Sequence, residues 1–180
     1  MSVMIWVRIL MMISLWVAWG WYLSQFTRLH RLEEACERAW FALNGELLGR
    51  HALALKAVAA AGASTPEGQV LSEEVVAVVQ ACTARAGWVG DAERMENEVR
   101  LTERLSRLVA DGAASCDSGE GAVLSALSED ILHSEERIRE ALEAHNQAVT
   151  ALNAAVQART SGIVARKTEM QARPPLPRVC

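Results

Sequence analysis

An all-α chain with one N-terminal membrane span is what the sequence predicts, and three observations predict it. Residues Ile9 to Leu23 read ILMMISLWVAWGWYL without a charge. Downstream, apolar residues recur at three- and four-residue steps, the period of an α-helix. Strand-favouring aromatics are few, one Tyr and two Phe beside six Trp, and only four Pro interrupt 180 residues. The expected architecture is a single-pass transmembrane helix followed by an up-and-down bundle of long helices. Three long segments are read, the middle one kinked or broken so that four helices can be counted. The expected divisions are an anchor at 1–24, a helical-bundle domain at 25–159 and a basic, Pro-containing tail at 160–180.

The anchor comes first. Counting from Val3 to Leu23 gives 21 residues interrupted only by Arg8, close to the roughly 20 that span a bilayer. Trp6 at one end and Trp19, Trp21 and Tyr22 at the other are placed as interfacial belts, and Arg8 lies near enough to the end to snorkel out. A cleaved signal peptide competes, because AWG before Trp21 offers small residues to a peptidase, but its basic n-region is thin and its flanks are aromatic. Arg28, Arg31 and Arg38 follow the span against one arginine before it, so positive-inside counting puts the bulk of the chain in the cytoplasm, at the cell membrane.

The first long helix of the bundle is expected from Thr27 to about Ala61, with Leu32, Cys36, Trp40, Leu43, Leu47 and Ala54 along one stripe, and it can run straight on from the span. Gly45 and Gly49 are expected to let a neighbouring backbone approach. GASTPEG then breaks the pattern, with Thr65 as N-cap, Pro66 at the first helical position and Glu67 in the first turn. The second segment, Glu67 to Val109, carries Val70, Leu71, Val75, Val78 and Val79, then Met95, Val99, Leu105 and Leu108. It is interrupted by GWVGD, where Asp91 can cap a fresh start. DGAASCDSGEG, 111–121, has loop composition, and the last helix is expected from about Ala122 to Ala158.

That last helix has a seam. Ile131, Glu135, Ile138, Leu142, His145, Val149, Leu152 and Val156 alternate steps of four and three. His145 lies on the seam, and Asn146 and Asn153 sit at its edge, seven apart. Buried polar groups need partners. If the middle segment is one kinked rod, the first and last helices run parallel, and Arg50 and Asn146 fall at similar depth. The expectation is a polar layer in which Arg50 reaches His145 and Asn146, with Gly87 and Gly90 at the bend and Asn153 completing the candidate set. Its bland role is register; its functional role would be binding a small acid through Arg50.

These residues resemble a family. The run SEERIREALEAHNQAVTALN followed by TSGIVA is similar to the C-terminal signature of the LemA family of bacterial single-pass membrane proteins: an acid, two residues, Ile, two Tyr-Asn pairs seven apart and an end like Pro-Ser-Asn-Leu-Val-Ala. Glu135, Ile138, Asn146, Val149, Asn153, Ser161, Ile163 and Ala165 match it without a gap. ERAWFALNGELLGRHALAL resembles the family's first helix through Trp40, Leu47, Arg50 and Leu53; LSEEVVAVVQACTAR and AERMENEVRLTERLSRL resemble the next two segments. Both tyrosines are replaced, by His145 and Leu152. The Pro-Asn of the first helix is missing around Ala54 to Ala57, a Gly/Ser loop stands for the Tyr-Pro loop, and Arg159-Thr160 stands for the late Phe-Pro. The resemblance implies a divergent member: an up-and-down helical bundle on a membrane stalk, from a family for which no catalytic activity or cofactor is established, so none is expected here.

Enzyme chemistry is not spelled out. Cys36, Cys82, Cys116 and Cys180 form no CxxC pair and have no close His, so neither a zinc knuckle nor a thioredoxin-like motif is present, and no metal site is expected. Among the four histidines, His30, His51, His133 and His145, only Asp130-x-x-His133 has a di-iron spacing, and half of that ligand set is missing. Glu129 and His133 read as a solvated ion pair. No nucleophile elbow, phosphate loop or zincin motif occurs.

Charge excludes one partner class. With Arg8 in the anchor and five basic residues against Glu169 in the tail from Arg159, the bundle keeps 12 basic and 21 acidic residues, net −9, and the tail is +4. An acidic bundle repels nucleic acid. The tail, ending RPPLPRVC, reads as too polar and proline-broken to pack, a solubilising end. The expected partners are the bilayer, through residues 1–24, and a protein not named by the sequence; an oligomer is compatible with the pattern. The expected function is a membrane-anchored interaction or scaffold module. The alternatives are a small-ligand sensor using the polar layer, or an accessory to a membrane peptidase.

Overall fold

A computed structural model describes residues 2–61, 66–84, 92–115, 120–158 and 161–176. Among these the chain forms five helices and no strand: α1 Ser2–Ala61, α2 Pro66–Ala84, α3 Ala92–Ser115, α4 Glu120–Gln157 and α5 Ser161–Lys167. The all-α expectation is met. Thr65, Gly87, Gly90 and Asp91, to which caps and a bend were assigned, lie outside the described residues.

No proline falls within residues 1–65, so nothing in the sequence removes a backbone donor from α1, and the helix is continuous from Ser2 to Ala61. Its N-terminal part is long and apolar enough to cross a membrane: the most apolar 18-residue window has a mean hydropathy of 1.5, and none of it is buried. Pro66 opens α2, where its missing N–H costs nothing. The middle segment is two helices, α2 and α3. The loop expected at 111–121 is shorter than its composition suggests, because α3 runs on to Ser115 and α4 begins at Glu120.

The chain divides into two compact units, one of residues 1–38 with 147–173, the other of 39–146 with 174–180.

In the first unit, Leu29 of α1 packs with Ala155 of α4 and with Val164 and Ala165 of α5, and Cys36 packs with Val149 and Leu152. The reading of everything after 159 as unpacked is corrected here. Ser161 donates to the Ala155 carbonyl at 2.5 Å, and Val164 is fully buried. Gly162 is required at this corner, since a Cβ there would stand 2.8 Å from the Val156 carbonyl oxygen. α5 ends in a Schellman turn: Met170 N–H donates to Ala165 O at 3.0 Å, around Glu169 at φ 56°. The extended chain beyond is held by Asn153, whose amide donates to Arg173 O at 2.8 Å and accepts from Arg173 N at 2.9 Å.

In the second unit, helix directions follow from residue pairs. Asn44 meets Arg94 and Arg50 meets Glu98, so α1 and α3 run the same way. Glu74 pairs with Arg104 at 2.9 Å, and Cys82 lies beside Glu98, so α2 opposes α3. Trp40 packs on His145 with ring centroids 5.8 Å apart, and Glu46 meets Arg137 at 3.1 Å, so α4 opposes α1. The expectation of parallel first and last helices is therefore corrected, and the cause is the break between α2 and α3, which adds one reversal. As expected, Trp40, Leu43 and Leu47 share a core with the α4 seam residues Ile138 and Leu142. A second cluster joins Ala54, Ala57, Val75, Leu101, Leu105 and Ile131.

Gly45 and Gly49 do not serve close packing within the chain. Both are exposed, and a Cβ at either would meet nothing within 4 Å.

Candidate functional site

The most polar part of the interior lies in the second unit, where α1, α2 and α3 meet. Arg50 is fully buried, and so is Glu98; Arg94 is 1 % and His51 4 % exposed. The reason they face inward is spacing. Arg94, Glu98, Leu101, Leu105 and Leu108 advance by four, three, four and three along α3, so the two charged residues occupy the first positions of a core seam. On α1, Arg50 follows Leu43 and Leu47 on the buried stripe, and His51 borders it.

Charges in such a place survive only with partners. Arg50 donates from one terminal nitrogen to Glu98 Oε2 at 2.5 Å and to the Glu98 carbonyl at 3.2 Å. From the other it donates to Thr102 Oγ1 at 2.6 Å. His51 Nε2 lies 3.1 Å from both Glu98 oxygens. Arg94 approaches the same carboxylate at 3.8 Å, donates to Asn44 Oδ1 at 2.6 Å, and stands with its guanidinium 5.3 Å from the centre of the Trp40 ring. Burial alone would raise the Glu98 pKa; the His51 hydrogen bond and the Arg50 charge outweigh it and hold the carboxyl below its ordinary range.

His51, Cys82 and Glu98 each point a ligand-type atom into this cluster, and these atoms lie within 4.8 Å of one another. Cys, His and Glu are zinc ligands by type. The electrostatics work against a cation. Two guanidinia already surround the single carboxylate, and burial, then the adjacent Glu98 charge, push the Cys82 thiol up to about 12, so it stays protonated. A dication would add positive charge to a dry site that holds two arginines against one glutamate among the described residues. The cluster reads as a charge network that joins three helices.

The four residues expected to form one layer are divided. Arg50 hydrogen-bonds only to α3 and does not reach Asn146. His145, 1 % exposed, packs on Trp40. The Asn146 amide donates to Leu176 O at 3.1 Å and accepts from Leu176 N at 2.9 Å, and Leu176 enters the core beside Trp40 and Leu142. Asn153 treats Arg173 in the same way, in the first unit. The reversal of α4 explains the split: Glu46 meets Arg137, so a residue near 50 on α1 faces the low 130s of α4. Sequence reading missed Arg94, Glu98, His51, Cys82 and Thr102. The α3 seam beginning at Arg94 was a signal that could have found two of them. The remaining expected pair, Glu129 and His133, is exposed on both sides.

Compared with family models, with curated proteins and with solved structures, the chain matches none.

Proposed function

We propose that this chain is a single-pass membrane protein, divergent and LemA-like, whose up-and-down helical bundle works in the cytoplasm as an interaction module. One observation carries the reading: on the side of α1 away from the core, Phe41, Leu48 and Leu55 are 69, 40 and 45 % exposed, although the helix already buries a full apolar stripe. Large apolar residues held in water along a helix mark a docking face. In the buried polar cluster Arg50 gives its terminal nitrogens to Glu98 and Thr102, while Arg50 Nε and His51 Nδ1 have no hydrogen-bond partner among the described residues.

The anchor supports the location. The apolar part of α1 has no cover, whereas the central helix of a soluble domain would be enclosed. Three arginines, Arg28, Arg31 and Arg38, follow it, and positive-inside counting then keeps the bundle in the cytoplasm. The test is a photoreactive amino acid at position 48 of the intact chain in its native membrane. Adducts formed there, and absent when the probe is moved to exposed Glu140 on α4, support a docking face; no adduct at either position removes the reading. Labelling of Glu140→Cys by an impermeant maleimide in intact cells would refute the cytoplasmic placement.

A further inference from the structure

The exposed side of α1 is more regular than a scattered set of apolar residues. Phe41, Gly45, Leu48, Ala52, Leu55 and Ala59 follow one another at steps of four, three, four, three and four. That is the spacing of a coiled-coil seam. All six are exposed and none is charged. The core seam, Trp40, Leu43, Leu47, Arg50, Ala54 and Ala57, lies on the opposite side and is buried throughout. A helix with one covered face needs only one apolar stripe; two opposed stripes belong to a helix covered on both sides.

We propose that the cover is α1 of a second copy of this chain, aligned parallel and packed seam to seam. The inference rests on the reading of this face as a docking surface, and names its partner. Three features select a second copy. A parallel two-fold pair sets each seam position against itself, and from Phe41 to Ala59 the seam carries no charge to oppose this. One step of three before Phe41, the next seam position is Arg38, with Glu37 directly beside it, and both are exposed. In a parallel pair a seam residue packs into a hole that includes the partner residue just before its own counterpart, so Arg38 of each copy meets Glu37 of the other. Gly45 follows Phe41 on the seam with nothing within 4 Å of its missing Cβ, leaving room for a second backbone.

The anchor fixes direction. The same helix carries the apolar span at its N-terminal end, so two copies in one bilayer enter side by side and the same way round. Confinement to the membrane raises the local concentration of one seam for the other, so a short, glycine-containing seam suffices.

The test is disulfide formation in native membranes, on the full chain with Cys116→Ser and Cys180→Ser, leaving the buried Cys36 and Cys82. Leu48→Cys and Ala52→Cys should each give about tenfold more reducible dimer under mild oxidation than the exposed α4 control Glu140→Cys, as a fixed pair requires over random collision. Adding Leu48→Asp to Ala52→Cys should return the dimer to the control level. Circular dichroism should show the helix content of that variant unchanged, which separates lost pairing from lost folding. Equal dimer from Ala52→Cys and Glu140→Cys overturns the proposal. A photoprobe at position 48 that joins another protein but never a second copy also overturns it, while leaving the docking face in place; no adduct of any kind removes both.

Discussion

Replacing Glu98 by glutamine keeps the shape of the side chain and removes its charge, which isolates the electrostatic role of the buried cluster. In the native chain the carboxylate is fully buried and answers Arg50 at 2.5 Å, His51 at 3.1 Å and Arg94 at 3.8 Å. Breaking a buried pair by removing one partner costs about 3–5 kcal/mol, because the remaining charge stays dry and uncompensated. Here two guanidinia are left, so the upper half of that range is expected, against a total stability of about 5–15 kcal/mol for an ordinary domain. Chemical denaturation of the full chain in detergent, followed by circular dichroism, measures it.

The same residue sets an acid limit. Its folded pKa is lowered, so its contribution is present above the ordinary carboxylate range and is lost as pH falls through the folded value. Glu98→Gln should therefore be less stable at pH 7 and should lose less on acidification than the native chain. A loss under about 1 kcal/mol at pH 7, or an unchanged acid slope, would refute the account of the cluster as a mutually dependent charge network.

Three further outcomes follow from packing. Trp40→Ala should cost about 3–5 kcal/mol, as large buried deletions do, and a cost below about 1 would move Trp40 out of the core. Asn146→Ala should expose the Leu176 amide to hydrogen exchange and Asn153→Ala the Arg173 amide, since each asparagine oxygen accepts that proton in the structure; unchanged protection in both would mean the tail is held by something else. Gly49→Ala should stabilise the helix by about 0.5–1 kcal/mol because only solvent surrounds the new methyl, whereas Gly162→Ala should destabilise, its methyl meeting the Val156 carbonyl at 2.8 Å.

Helix periods made most of the fold legible. The uninterrupted first segment and the α4 seam from Ile131 to Val156 state their elements directly, because every third or fourth residue reports the same face. Two things were not legible, for different reasons. DGAAS, read as loop, is the end of α3: composition alone underrates a helix end already propagated by the turns before it. The charge cluster draws on Arg50, Cys82 and Glu98, one from each of three helices, and no local period ties those three positions together. Within α3 the information was present, since Arg94 and Glu98 stand on the leucine seam. A charged residue in seam register is a cue to look for its counter-charge elsewhere, and that cue is stronger than any short motif in this chain.

The two asparagines show what a polar seam residue needs. A neighbouring helix is a poor partner for an amide, because between its ends each backbone N–H and C=O is already bonded four residues along. An extended segment is a good one, since its donors and acceptors are free. Seven residues of helix rise about 10.5 Å, and three extended residues cover about 10 Å. Asn146 and Asn153 are seven apart, and Arg173 and Leu176, the residues they clamp, are three apart, so two amides match the pitch of one extended chain. Pro174 and Pro175 between the clamped residues have no N–H to leave unsatisfied and keep the segment extended. The proline-rich composition that reads as an unpacked tail is thus what lets it lie against α4. The polarity that reads as a layer between helices is what holds it there.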